Sequence, residues 1–199
     1  VCKAKTELLA KGLKVASGAS EKKRILAALA SFPTTEGLAI VQGCVSDAAL
    51  SVEAKLAISQ IKWAMARTTA KVSASRGADQ AALAIDGQRK TIWSTGGVMK
   101  AGDSFTLILA KADTINGITI DCGDNMQDFP REYELFLSND GKTWSTPVVK
   151  GKAVNGITKI PFTGKTASAI KIVQTKNISS RDRKNRKNWS IAEITVSFE

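Results

Sequence analysis

Histidine is absent from the 199 residues. That absence removes the Ser-His-Asp and Cys-His routes to an activated nucleophile. It also removes zinc sites built on His or on mixed Cys and His. Only three cysteines occur, Cys2, Cys44 and Cys122, far apart and without a CxxC pair. A four-thiolate metal site is therefore impossible, and an odd count rules out a complete disulfide framework. A single Cys2–Cys44 bridge stays open beside the alternative of buried free thiols. No apolar run approaches the roughly 20 residues that span a bilayer. The sequence starts at Val1 with no basic and apolar leader, so no signal peptide is expected and the chain reads as a mature or excised piece.

What is present is a hydrophobic fraction of 43% and a net charge of +11. The first is enough for a packed core. The charge is uneven: residues 1–75 carry 11 basic and 5 acidic groups. Beyond them, 176–187 alone holds Lys176, Arg181, Arg183, Lys184, Arg186 and Lys187 against Asp182. The remainder of the second part is neutral, so one segment concentrates its positive charge.

Two hydrophobic periods divide the chain. Residues 1–70 are rich in Ala, Leu, Lys and Glu, which favour helix. Helices are expected near 3–16, from a Ser20 cap to Pro33, from Thr34 or Thr35 to 46, and over 50–66. The second presents Ile25, Leu26 and Leu29 on one face and the third Leu38, Val41 and Val45. Leu50, Ala54, Ala57, Ile58, Ile61 and Met65 make a helical stripe on the last. Four such helices form two antiparallel hairpins, which resemble the HEAT-type repeat. The Ser, Thr, Ala and Gly-rich stretch at 71–80 reads as a linker between a helical domain at 1–70 and a second domain at 81–199.

After 80 the period becomes two. Strands are expected at 104–110, 115–121, 132–138, 157–162, 168–174 and 190–198. Asn139-Asp140-Gly141-Lys142 is a turn signal between a strand and its continuation. Short strands without intervening helices argue an antiparallel sandwich. The overall class is thus α+β, multidomain, with helical hairpins followed by a β-sandwich.

Four segments then carry a resemblance. AIDGQRKTIW (84–93), GITIDCG (117–123), PREYELFLSNDGKTW (130–144) and WSIAEITV (189–196) stand in the order of the discoidin, or coagulation factor 5/8 type C, domain. Its jelly roll is shared with galactose-binding-like carbohydrate-binding modules. The resemblance spans about 120 residues and implies a structural calcium. Its ligands would be Asp86, Thr91 and Glu193, with carbonyls from Leu83 and Ala192 and with Gln88 where Asp or Asn is common; Arg89 and Lys90 add unfavourable charge beside it. A hard cation wants six to eight oxygens of this kind. The alternative leaves Asp86 as a turn former and Glu193 as an acceptor locking that turn to the last strand.

The resemblance also places a ligand on the loops at one end of the sandwich. The candidates are Arg89, Asn125, Asp128 and Arg131, then Arg181, Arg183 and Arg186 with Trp189. Guanidinium forks suit carboxylate, sulfate or phosphate, which makes anionic glycans the favoured ligand. Trp93, Trp144 and Tyr133 are expected to pack inward. The implied function is a non-catalytic carbohydrate-binding module of a larger exported bacterial protein acting on polysaccharide. Its partners would be a polysaccharide or glycan and a neighbouring catalytic domain, and its address periplasmic or extracellular. Two alternatives stay open: polyanion or nucleic-acid binding through 176–187, and protein interaction through the helical repeats. No aromatic platform or nucleic-acid motif supports nucleic acid as a partner, and no second carboxylate pair supports an enzyme.

Overall fold

Four helices form where the 3.6-residue period predicts them: α1 Cys2–Val15, α2 Ala19–Ala30, α3 Thr35–Gln42 and α4 Ser51–Ala66. The computed structural model describes residues 2–178 and 188–199. Thr34 caps α3, its hydroxyl oxygen accepting from the Gly37 amide at 2.9 Å. Ser20 does not cap α2; Gly18 holds that position and Ser20 lies in the first turn. Leu26 and Leu29 of α2, Val41 of α3, and Leu50, Ala54, Ala57, Ile58 and Ile61 on and before α4 form one buried cluster. Each large side chain buried this way stabilises by about 1.5–3 kcal/mol. Met65, expected on the same stripe, is exposed.

The three thiols are all free. Cys2 is exposed and Cys44 half-buried, so the expectation of buried thiols holds only for Cys122. Burial pushes the Cys122 thiol up to about 12 and raises that of Cys44. A neutral, enclosed thiol is not a nucleophile. Iodoacetamide near pH ~8 is expected to label Cys2 fast, Cys44 slowly and Cys122 only after denaturation. Peptide mass mapping checks this, and fast labelling of Cys122 in folded protein contradicts it.

The chain divides by its internal contacts into a unit of Val1–Thr68 with Ser197–Glu199 and a second unit of Thr69–Val196. The segment expected as linker, 71–80, is not one. Lys71–Ala74 is strand β1, paired antiparallel to Phe105–Ile108, and a 3-10 segment follows at Ala78–Ile85. Its short, weakly apolar alternation hides an edge strand.

The remaining strands are β2 Trp93–Ser94, β3 Ser104–Asp121, β4 Tyr133–Ser138, β5 Val149–Gly151, β6 Ile157–Gln174, β7 Ser190–Ile191 and β8 Glu193–Phe198. Four expected strands are therefore two long ones. β3 and β6 pair along their whole length, with irregularities between Ile108 and Asp113 and between Ile115 and Gly117. Bulges bend a strand and let it pass from one layer to the other. The sheet order is β1-β3-β6-β4-β5, with β8 also on β3, and β2 and β7 form a separate two-stranded ribbon. Since β1 takes the Phe105–Ile108 edge of β3, β8 takes the later part of that edge. The result is an antiparallel sandwich.

Its core holds Phe105, Leu107, Ile118, Ile120, Leu135, Ile170, Ile172 and Ile194. Trp93 lies at its centre, 4.9 Å from the Phe105 ring and 5.2 Å from Trp189, edge to face. Tyr133 packs inward as expected. Trp144 does not; it is half-buried, with Lys171 Nζ 4.2 Å from its ring centroid. After β4, the expected turn is held by Asp140, whose Oδ1 accepts from Ser138 Oγ and the amides of Lys142 and Thr143 at 2.7–2.8 Å. Those amides hold its carboxyl well below the usual carboxylate range.

Candidate functional site

The first turn, 86–91, is built by its own side chains. Asp86 Oδ1 accepts from the Gln88 amide at 2.8 Å, and the Thr91 hydroxyl lies 2.7 Å from Asp86 Oδ2 and from the Gln88 carbonyl. This is an Asx turn, eased by Gly87 at φ +82°. Arg89 then leaves the turn and reaches the end of β3. Its guanidinium donates to both oxygens of Asp121 (2.8 and 3.4 Å), to Asp124 (3.2 Å) and to the Gly123 carbonyl (3.0 Å). Hydrogen bonding to Asp121 pushes its pKa further up. Most of its fork is thus committed within the protein. Arg89, expected among the ligand residues, is a clamp on the 121–124 loop and keeps half of its side chain exposed.

Gly123 is where three segments meet. It sits at φ +65°, and a Cβ there would lie 2.9 Å from Ala192 Cβ and 3.1 Å from the Arg89 carbonyl. The Ala192 amide donates to the Asp121 carbonyl at 2.8 Å. The first turn, the loop after β3 and the junction of β7 with β8 are therefore in contact, although they are far apart in sequence.

The same loop continues through Asn125 to Arg131. The Asp128 carboxylate accepts from Ser190 Oγ at 3.0 Å, and its carbonyl accepts from the Ser190 amide and from Cys122 Sγ. Burial raises the Asp128 pKa against the opposing Ser190 and Arg131 contributions. Arg131 donates to the carbonyls of Gln127 and Phe129 at 2.7 and 2.9 Å and stacks 3.9 Å from the Phe129 ring. Asp128 and Arg131 shape the loop from inside. Asp124, Asn125, Met126 and Gln127 remain exposed at its tip. Met126 rests on Gly156, where a Cβ would meet its sulfur at 2.6 Å. Val154 and Ile157, 87% and 48% exposed, flank that glycine. Met126 can be picked out of the sequence as a candidate exposed apolar residue, but Val154 and Ile157 cannot, because they lie in a loop and at a strand start without a periodic signal.

Trp189 is fully buried against Trp93. It cannot present a face to a ligand, which corrects its expected place in the site. Arg181, Arg183 and Arg186 lie outside the described residues. Of the residues expected around calcium, the structure brings Asp86 and Thr91 together. Asp86 and Thr91 put a carboxylate and a hydroxyl 2.7 Å apart, and the carboxylate keeps lone pairs beyond the two it uses. Leu83 is half-buried just before this turn, and Ala192, with Glu193 next to it, is brought to it through Gly123. Gln88 serves the turn through its backbone. Among the described residues no group of three or more His, Cys, Asp or Glu could hold a metal.

The family model of the F5/8 type C domain matches residues 67–194. A family 32 module of Clostridium perfringens NanJ, solved in complex with galactose, is 26% identical. It covers 65% of this chain and 94% of its own, with a TM-score of 0.54. The module CpGH89CBM32-5 from Clostridium perfringens, solved with GalNAc-beta-1,3-galactose, has the same fold at 24% identity, 65% and 96% coverage and a TM-score of 0.54. A galactose oxidase of Gibberella zeae is 27% identical over 171 residues, 80% of this chain. The chain spans about a quarter of that relative's length, 24%. No described helix is long and apolar enough to cross a membrane. From the sandwich, its bent long strands and a match across most of its length, the chain belongs to the F5/8 type C domain family.

Proposed function

We propose that this chain is a non-catalytic carbohydrate-binding module within a larger exported protein that acts on polysaccharide. The observation that carries the reading is the loop after β3. Its inner residues, Asp128 and Arg131, are spent on holding it, while Asn125 and Gln127 stand exposed beside Met126. Amides that hydrogen-bond hydroxyls next to an apolar edge suit a sugar ring. The galactose-bound NanJ module of the same fold supports the choice of ligand class. Tethering a weak binder to a catalytic partner raises the local concentration of substrate. Among the described residues, Asp121 and Asp124 at this end are engaged with Arg89 and Asp128 with Ser190, which supports a binding rather than an acid–base role.

Anionic glycans are the favoured subclass, through Arg181, Arg183 and Arg186, with calcium at Asp86, Thr91 and Glu193 fixing the first turn and doing no chemistry. Titration of galactose, galacturonate and a sulfated galactan at low and moderate salt tests the reading. Replacing Asn125 and Gln127 by Ala is expected to weaken sugar binding about fivefold per lost hydrogen bond. Replacing the three arginines is expected to remove only the preference for the anionic ligands. Calcium is expected to raise the Tm, and chelation to reverse it. Absence of glycan binding in every arm, or cleavage of a glycan by the chain alone, sinks the proposal. A steep salt dependence with DNA and none with glycans would favour the polyanion reading instead.

A further inference from the structure

The outer face of α1 carries an apolar strip outside the buried helical cluster, beside Leu9 and Ile25, which pack against that cluster with part of their surface still open. Leu8, Gly12 and Val15, at i, i+4 and i+7, share one face of α1. Leu8 is 70% and Val15 83% exposed. Gly12 faces α2: a Cβ there would lie 3.6 Å from Ile25 Cδ1. Beside it runs a groove of about 320 Å³ lined by Leu9, Glu21, Arg24, Ile25 and Ala28. Ile25 of the groove wall thus adjoins Gly12 of the strip.

Charge distinguishes the occupants. α1 carries Lys3, Lys5, Lys11 and Lys14 against Glu7, and α2 carries Lys22, Lys23 and Arg24 against Glu21. Lys23 is tied to Glu53 at 2.9 Å and Lys5 lies 4.7 Å over the Phe32 ring. Arg24 on the groove wall and Lys11 beside the strip are exposed. A second copy would bring like charge against like charge, which costs association. An apolar ridge bordered by acidic groups matches both features.

We propose that the α1–α2 face is a docking groove for an acidic amphipathic helix of a partner protein. Leucines spaced i, i+3, i+4 and i+7 would enter between Leu8, Val15 and Ile25, and glutamates on the flanks would meet Lys11 and Arg24. This docking is independent of glycan binding, since it uses none of the loop residues.

The full chain is tested against three synthetic peptides of about 18 residues, five helical turns. The first has Leu at those positions and Glu elsewhere, the second has Lys for Glu, and the third is the first scrambled. Fluorescence anisotropy is expected to show the first bound at least about tenfold more tightly than the other two, weakening towards about 0.5 M salt. Leu8→Ser with Val15→Ser, both on exposed positions, is expected to cost about tenfold with unchanged circular dichroism. Arg24→Glu, which leaves the apolar strip intact, should also weaken the first peptide and should relieve the bias against the second. Equal affinity for the scrambled peptide, or no effect of the Leu8 and Val15 substitutions, overturns the proposal. So does self-association, or capture by phosphatidylserine vesicles without peptide binding, when either is abolished by those substitutions.

Discussion

Trp189→Ala is expected to destabilise the sandwich by about 3–5 kcal/mol, because it opens a cavity the size of an indole beside Trp93. Trp189 is fully buried and meets Trp93 edge to face at 5.2 Å. Its backbone is fixed as well, the Trp189 amide donating to Thr95 Oγ1 at 3.1 Å and its carbonyl accepting from the Thr95 amide at 2.9 Å. The ring nitrogen, by contrast, has no hydrogen-bond partner among the described residues. Trp189→Phe should therefore keep most of the apolar packing, lose no hydrogen bond and cost no more than about 1.5 kcal/mol. Urea unfolding of both variants measures the difference. The pair also separates two roles for the residue. A packing role predicts that Trp189→Phe retains the glycan affinity of the parent chain. A stacking role predicts that affinity falls while stability stays. The T-shaped contact with Trp93 places the residue on the packing side.

That tryptophan illustrates where local sequence stops being informative. The helical stripes of α2 and α4 were legible because residues three and four apart pack on one face, and the period alone identifies them. The Asp140 turn was legible because its hydrogen bonds close within five residues. The contents of the core were harder. Trp189 packs inside against Trp93, whereas Trp144 is half-buried in the segment between β4 and β5, with Lys171 over its ring. No spacing near either residue distinguishes them. The two long strands read as four in sequence because the register of their pairing shifts part-way along, where the alternation breaks. β1 reads as linker in sequence because four residues with weak apolar contrast become a strand only by pairing with β3. Arg89 looked like a donor for ligand because its carboxylate partners stand 32 and 35 residues away. At the candidate site, the local turn at Asp86 could be read in advance, and the clamps that join it to other segments could not.

Gly123 is the position where those joined segments can be tested together. Gly123→Ala is expected to lower stability by about 3 kcal/mol, combining left-handed backbone strain with a forced contact. A glycine adopts φ +65° without penalty, and an alanine does not. The new methyl would press on Ala192 Cβ at 2.9 Å and on the Arg89 carbonyl at 3.1 Å. One of those neighbours is a buried strand junction and the other is the backbone of the clamp residue, so neither yields as a flexible side-chain tip would. The turn at 86–91 should move first, since its residues are largely exposed. Arg89 would then lose its alignment on Asp121, and the proposed calcium-induced rise in Tm should shrink with it. A second substitution, Ala192→Gly, removes one of the two contacts while leaving the φ angle unrelieved. The double variant should therefore be more stable than the sum of the single effects by about 1 kcal/mol. Strict additivity in that cycle would mean that backbone strain alone sets the cost and that the contact between the first turn's loop and the final strand carries none of it.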